Sequence, residues 1–120
     1  MAHEGHILVS NEFDKYGILK DILEAGTFVD VTFVCDDGQL NAHKVVLSAA
    51  SPFFQTLLEE NPASHPVINL CESKIKSMNS LLEFIYSGET SIHREDYESV
   101  LSFAEHLQIL GLEQLFIWGS

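Results

Sequence analysis

Residues 41–54, NAHKVVLSAASPFF, set a histidine, a lysine and two serines around an apolar run. His43, Ser48 and Ser51 are residue types that do nucleophilic chemistry, but catalysis needs a nucleophile, a base and an orienting acid that converge. LSAAS lacks the flanking glycines of a G-x-S-x-G elbow. Pro52 offers a structural alternative, because proline suits the first position of a helix and a serine just before it is a natural N-cap. The stretch therefore reads as a strand end followed by two helices, about 44–50 and 52–59, with a break at Ser51. Val45, Val46, Leu47, Ala49, Ala50, Phe53, Phe54, Leu57 and Leu58 cover more than one helical face, so this pair is expected to be buried on several sides. His43 is expected to be a partly buried imidazole bonded to backbone.

Upstream, VDVTFVC (29–35) alternates Val29, Val31, Phe33 and Cys35 with Asp30, Thr32 and Val34, the period of a strand. DDG (36–38) is a turn signal, and QLNAH continues with Leu40 and Ala42 on one face, predicting a hairpin. Further upstream, DKYGILKDILEA (14–25) spaces Ile18, Leu19, Ile22 and Leu23 as one helical stripe, with Gly26 as a left-handed cap. Downstream, ENPASHP is a loop and VINL (67–70) a short strand. Met78, Leu81, Leu82 and Ile85 predict a helix over 77–87, capped by Ser77 and closed by Gly88, and ETSI (89–92) is short and extended. Asp96 opens a helix striped by Val100, Phe103, Ala104, Leu107 and Leu110 and ended by Gly111, and a last helix carries Leu112, Leu115, Phe116 and Trp118. The expected class is α+β, dominated by helices, in a single domain.

Six basic and eighteen acidic side chains give a net charge of −12. A duplex-binding surface needs clustered Lys and Arg to displace counterions, whereas Lys15, Lys20, Lys44, Lys74, Lys76 and Arg94 are scattered. We expect no direct nucleic-acid or anionic-membrane binding by this chain. No apolar run is long enough to span a bilayer, and MAHEGHILVSNEF lacks the basic start and apolar core of a signal peptide. Cys35 and Cys71 are far apart and form no C-x-x-C, which suggests a reduced intracellular protein. His3 and His6 read as a solvated tail, and HREDYE (93–98) as a solvated face. With no P-loop, dinucleotide fingerprint or H-E-x-x-H, neither a cofactor nor a metal is expected, and no enzyme.

Three spaced motifs carry a resemblance. FVDVTFVCDDGQLNAHKVVLSAASPFFQTLL (28–58) resembles the core of a BTB/POZ domain, with its D-V-x-L/F, hairpin and A-H-K/R-x-V-L-x-A-x-S-x-F/Y-F pattern. LLEFIYSGETSI (81–92) and VLSFAEHLQILGLEQL (100–115) resemble the family's later segments. The similarity runs over about 18–116, and TFVDVTF with ENPASHPVINL looks most like the insect tramtrack group of transcription-factor BTB domains. That group usually begins F-x-L-R-W-N, whereas HILVSNEF (6–13) keeps only Leu8 and Asn11 of it.

The resemblance implies an interaction module, typically a two-fold homodimer. Its interface would use Tyr16, Ile18, Leu19, Ile22 and Leu23 on the first helix, with Ile7, Leu8 and Val9 in residues 1–13 swapped across as a strand. It also implies an acidic and a basic residue in a groove at the dimer axis, matched by Asp30 and Lys44, as a site for corepressor or other partner peptides. The implied setting is the oligomerisation domain of a nuclear zinc-finger transcription regulator, pairing with itself and with other BTB domains. The alternative is a substrate adaptor of a cullin-based ubiquitin ligase, cytoplasmic in that case, using helix 77–87 and the segment after SGE against the cullin.

Overall fold

The computed structural model describes residues 5–9, 15–70 and 75–111. The first helix, α1 (Lys15–Ala25), ends where Gly26 turns into the left-handed region at φ 67°. The Gly26 and Thr27 N–H groups then donate back to the Leu23 and Ile22 carbonyls. Glycine adopts that conformation without a Cβ penalty, which is why the helix stops there.

The hairpin forms as the alternation predicts. Strand β1 (Val31–Cys35) pairs antiparallel with β2 (Gly38–Ala42), from Val31 opposite Ala42 to Cys35 opposite Gly38, leaving Asp36 and Asp37 as the turn. Val31, Phe33, Cys35 and Ala42 face the core. Burial pushes the Cys35 thiol up, and the Asp37 and Asp36 carboxylates add to the shift, so the sulfur is held as an unreactive thiol. The short strand β3 (Val67–Asn69) lies parallel to β1 on its other side, giving the order β2-β1-β3.

Between the hairpin and β3 runs the helix pair α2 (Lys44–Ala50) and α3 (Pro52–Glu60). Ser51 is fully buried at the break. Its Oγ accepts the Phe54 N–H at 3.1 Å and donates to the Leu107 carbonyl at 2.6 Å. One hydroxyl thus caps α3 and satisfies a buried carbonyl at the far end of the chain. Next to it the Leu110 N–H donates to the Ala50 carbonyl, tying the same break to the last described turn.

Helix α4 (Ile75–Ser87) starts two residues before the expected Ser77. Its first N–H, on Ile75, donates to the Asp37 carboxylate at 2.8 Å, so a hairpin residue distant in sequence does the capping. Gly38 lies against the start of this helix: a Cβ there would be 2.8 Å from Ile75 Cδ1, and the isoleucine tip would have to shift. Met78, Leu81, Leu82 and Tyr86 bury the inner face of α4. No strand forms over 89–92. A short 3-10 turn (Arg94–Asp96) then leads into α5 (Tyr97–His106), which ends earlier than the expected stripe to Leu110. Gln108 takes φ 55°, so the helical phase is broken; Ile109 turns inward and Leu110 out to solvent. Asp96 does not cap α5, because its carboxylate is engaged 2.7 Å from the Lys76 ammonium. The anticipated helix at Leu112–Trp118 lies outside the described residues.

One core joins all these elements, with Phe33, Phe54, Leu47, Met78 and Tyr86 among its largest buried side chains. Ser51→Ala is expected to lose a cap and strand the Leu107 carbonyl, costing about 2–4 kcal/mol in urea denaturation. Ser48→Ala, on the same helix pair, is expected to stay within about 0.5 kcal/mol.

Candidate interaction surface

His43 lies between β2 and α2 and is buried. Its Nε2 is 2.6 Å from the Thr27 carbonyl, which can only accept, so this nitrogen carries the proton. In the neutral ring Nδ1 then accepts from the Tyr86 O–H at 2.8 Å, while the same phenol oxygen accepts the His43 N–H at 2.9 Å. The imidazole is therefore a structural bridge from the exit of α1 to α4, and its nitrogens are both occupied. Desolvation pushes the Tyr86 phenol up to about 12; the His43 N–H opposes this and the Asp30 charge adds to it.

Asp30 and Lys44 come together through the main chain. One Asp30 carboxylate oxygen accepts the Lys44 N–H, the first of α2, at 2.8 Å. His43, at the N-cap position, gives α2 no side-chain cap, so Asp30 supplies it from across the fold, where the helix dipole favours a negative charge. The Lys44 ammonium turns the other way and donates to the Ala63 carbonyl at 2.8 Å. Half-buried Asp30 thus has a structural task that accounts for a carboxylate among apolar neighbours.

The first-helix stripe divides. Leu19 and Leu23 pack against the core, whereas Ile18 is exposed and Ile22 only half-buried. Ile18 and Ile22 are four residues apart and share the outer face. The Tyr16 side chain lies outside the described residues. Ile7, Leu8 and Val9 are almost fully exposed and form no strand within the single chain.

Two features were not anticipated. Tyr86 was hidden because its spacing merely extends an apolar stripe, and its hydroxyl partner lies 43 residues away. Phe28 carries φ 60° and is 84% exposed. For a bulky L-residue that conformation costs about 1–2 kcal/mol. An open groove of about 760 Å³ of mixed polar and apolar character also lies between α3, β3 and α5, lined by Phe53, Leu57, Asn61, Ile68, Phe103 and His106 among others. Among the described residues no cluster of His, Cys, Asp or Glu could hold a metal, and no helix is long and apolar enough to cross a membrane.

The model of the BTB/POZ domain family matches residues 19–116. The chain is a BTB/POZ domain. It is 46% identical over 87 residues to the Broad-complex core protein isoforms of Drosophila melanogaster, covering 72% of this chain and 12% of that protein. Against the alpha isoform of the Drosophila protein tramtrack it is 42% identical over 106 residues, 88% of this chain and 13% of the relative. Against the Drosophila longitudinals lacking protein-like it is 42% identical over 88 residues, covering 73% of this chain and 69% of that protein. The chain thus spans about a tenth of the length of the first of these relatives. BTB/POZ domains mediate protein interactions and are not a catalytic family, which fits a histidine and a serine spent on structure.

The phenol makes a testable link. Because the Tyr86 pKa lies above its value of 10 in an unfolded chain, the unfolded state loses its proton first, and stability should fall as pH rises from 10 towards 12. Tyr86→Phe should remove that alkaline component, measured by urea midpoints against pH. At neutral pH the same change should cost about 1–3 kcal/mol, by orphaning the buried His43 N–H.

Proposed function

We propose that this single BTB/POZ domain is a homodimerising, partner-recruiting module of a transcription regulator. The observation that carries the reading is the divided α1 stripe: Leu19 and Leu23 serve the chain's own core, while Ile18 and Ile22 present an apolar outer face. An apolar patch facing its own copy across a two-fold axis is self-complementary, so both copies are relieved together. Exposed Ile7, Leu8 and Val9 fit a strand that pairs only with a partner subunit. The similarity to the Broad-complex and tramtrack proteins supports a nuclear setting and a place beside zinc fingers elsewhere in a longer chain. A net charge of −12 leaves any contact with DNA to those other parts.

We place at Asp30 and Lys44 the groove at the dimer axis that the family resemblance implies, where a corepressor or other partner peptide would dock. Both also have structural bonds, so charge and structure must be tested separately.

The 120-residue chain is expected to run as a dimer at tens of micromolar in light scattering coupled to size exclusion, and a monomer there would refute the reading. Ile18→Asp with Ile22→Asp should yield a folded monomer, since unpaired carboxylates would be buried at the interface. Asp30→Asn with Lys44→Gln keeps an acceptor for the Lys44 N–H. It should leave the dimer intact and weaken capture of a corepressor fragment in pull-down; unchanged capture would remove the groove from the proposal.

A further inference from the structure

The sheet ends in an unpaired strand. In the order β2-β1-β3, β1 is bonded on both sides, and among the described residues no strand lies beyond β2. The direction of the β2 main-chain groups follows from β1. The Thr32 N–H donates to the Pro66 carbonyl and the Val34 carbonyl accepts the Leu70 N–H, so these two residues are bonded towards β3. Alternation along an antiparallel pair then makes Phe33 and Leu40 a hydrogen-bonded pair and leaves Thr32 with Asn41, and Val34 with Gln39, as pairs without mutual bonds. The N–H and C=O groups of Gln39 and Asn41 therefore point away from the sheet, and both residues are exposed.

This edge lacks two common protections. Natural edge strands are often blunted by charge or proline, and GQLNA (38–42) has neither. It is also held firmly. The Thr32 hydroxyl donates to Asn41 Oδ1 at 2.7 Å; its one proton is spent there, so His65 Nε2–H donates to it at 2.8 Å. These bonds tie β2 to β1 and to the loop before β3. A preorganised edge loses little freedom when it gains a partner.

A groove of about 420 Å³ lies beside the edge, between β2, the second half of α1 and α4. Leu23, Leu40 and Leu82 supply its apolar part, and Lys20, Glu24 and Glu83 its charges. An edge strand with a groove alongside is the geometry that receives an extended polypeptide: main-chain bonds hold it, and every second side chain enters the groove. Charge selects among extended segments. Two carboxylates stand here against one ammonium. Asp36 and Asp37 form the turn from which β2 starts, and the whole chain carries −12. A second copy would bring the same negative charge, and its own β2 has no cation to offset it. A segment of another protein that alternates basic and apolar residues meets both demands.

We propose that the outer edge of β2, with the groove beside it, is a docking site for an extended, basic segment of another protein, which adds a fourth strand to the sheet. The site uses other residues than Ile18, Ile22, Asp30 and Lys44, so it stands or falls independently of the homodimer. The test uses the full 120-residue chain and a synthetic octapeptide alternating lysine and valine. One control peptide has the same sequence N-methylated throughout, which keeps its charge and removes every main-chain donor. Another alternates glutamate and valine. Titration calorimetry gives the Kd, and amide exchange followed by NMR reports Gln39, Leu40 and Asn41 separately.

In the free chain the Gln39 and Asn41 amides should exchange fast and the Leu40 amide slowly. The lysine–valine peptide should bind with a Kd below about 1 mM and, at saturation, slow the two fast amides at least about threefold. N-methylation of the peptide, or Gln39→Pro in the protein, should each weaken binding at least about tenfold. Proline is accepted at that position because the N–H it removes faces outward. The glutamate–valine peptide should not bind. Equal binding of the N-methylated peptide, or binding that leaves both amides fast, would overturn the proposal in favour of charge alone. Equal binding of the glutamate–valine peptide, or none of the lysine–valine peptide at about 1 mM, would overturn it too. So would slow Gln39 and Asn41 exchange in the free chain: if dilution speeds it, a second copy holds the edge, and if not, another part of the same chain does. Should Gln39→Pro lose its fold, the N-methylated peptide against the wild-type chain decides alone.

Discussion

Three parts of the fold meet at the Tyr86 hydroxyl. It bonds the backbone and the ring of His43, and through that ring reaches the Thr27 carbonyl. Buried polar groups are tolerated only when satisfied, and here each satisfies the others, so none can be removed alone. The position of the segment leaving α1 depends on this chain of bonds. So does the entry to α2, whose first N–H is capped by Asp30 on the same segment. The unusual backbone at Phe28 follows from the same constraint.

Much of this fold could be read from local pattern. The alternation of Val31, Phe33 and Cys35 gave the strand, and the Ser51–Pro52 pair located the helix break to the residue. Both are short-range signals with a direct steric or hydrogen-bonding cause. What escaped were features set by distant partners. The first described N–H of α4 is held by Asp37, 38 residues away, and the early end of α5 is set by a left-handed turn at Gln108, a residue with no strong preference for it. The candidate surface was half legible. Periodicity identified the apolar residues of α1, but their division between core and outside depends on what packs beside the helix. Asp30 and Lys44 meet through a backbone bond rather than through their opposite charges, a link that their charge signs alone did not indicate.

The distribution of charge has a similar logic. Exposed acidic residues such as Glu59, Glu60, Glu98 and Glu105 sit at helix ends, whereas residues 45–58, from the first turn of α2 to Leu58 in α3, carry no ionisable side chain. Net charge of one sign keeps a protein soluble and disfavours random association. Confining the neutral surface to limited areas then selects which contacts survive, so specificity arises partly from repulsion elsewhere.

The parallel pairing of β1 with β3 has a consequence for how the domain holds together. Thr32 sits opposite Val67, and everything between them must be traversed before the third strand can join the sheet. Parallel strands cannot be closed by a tight turn and need a helical crossover, here the α2–α3 pair with its capped break at Ser51. The sheet's outer strand is therefore hostage to a serine that it does not touch. Local fraying at one edge and loosening of the helix pair become a single event, and the small sheet shares the cooperativity of the helices instead of having its own.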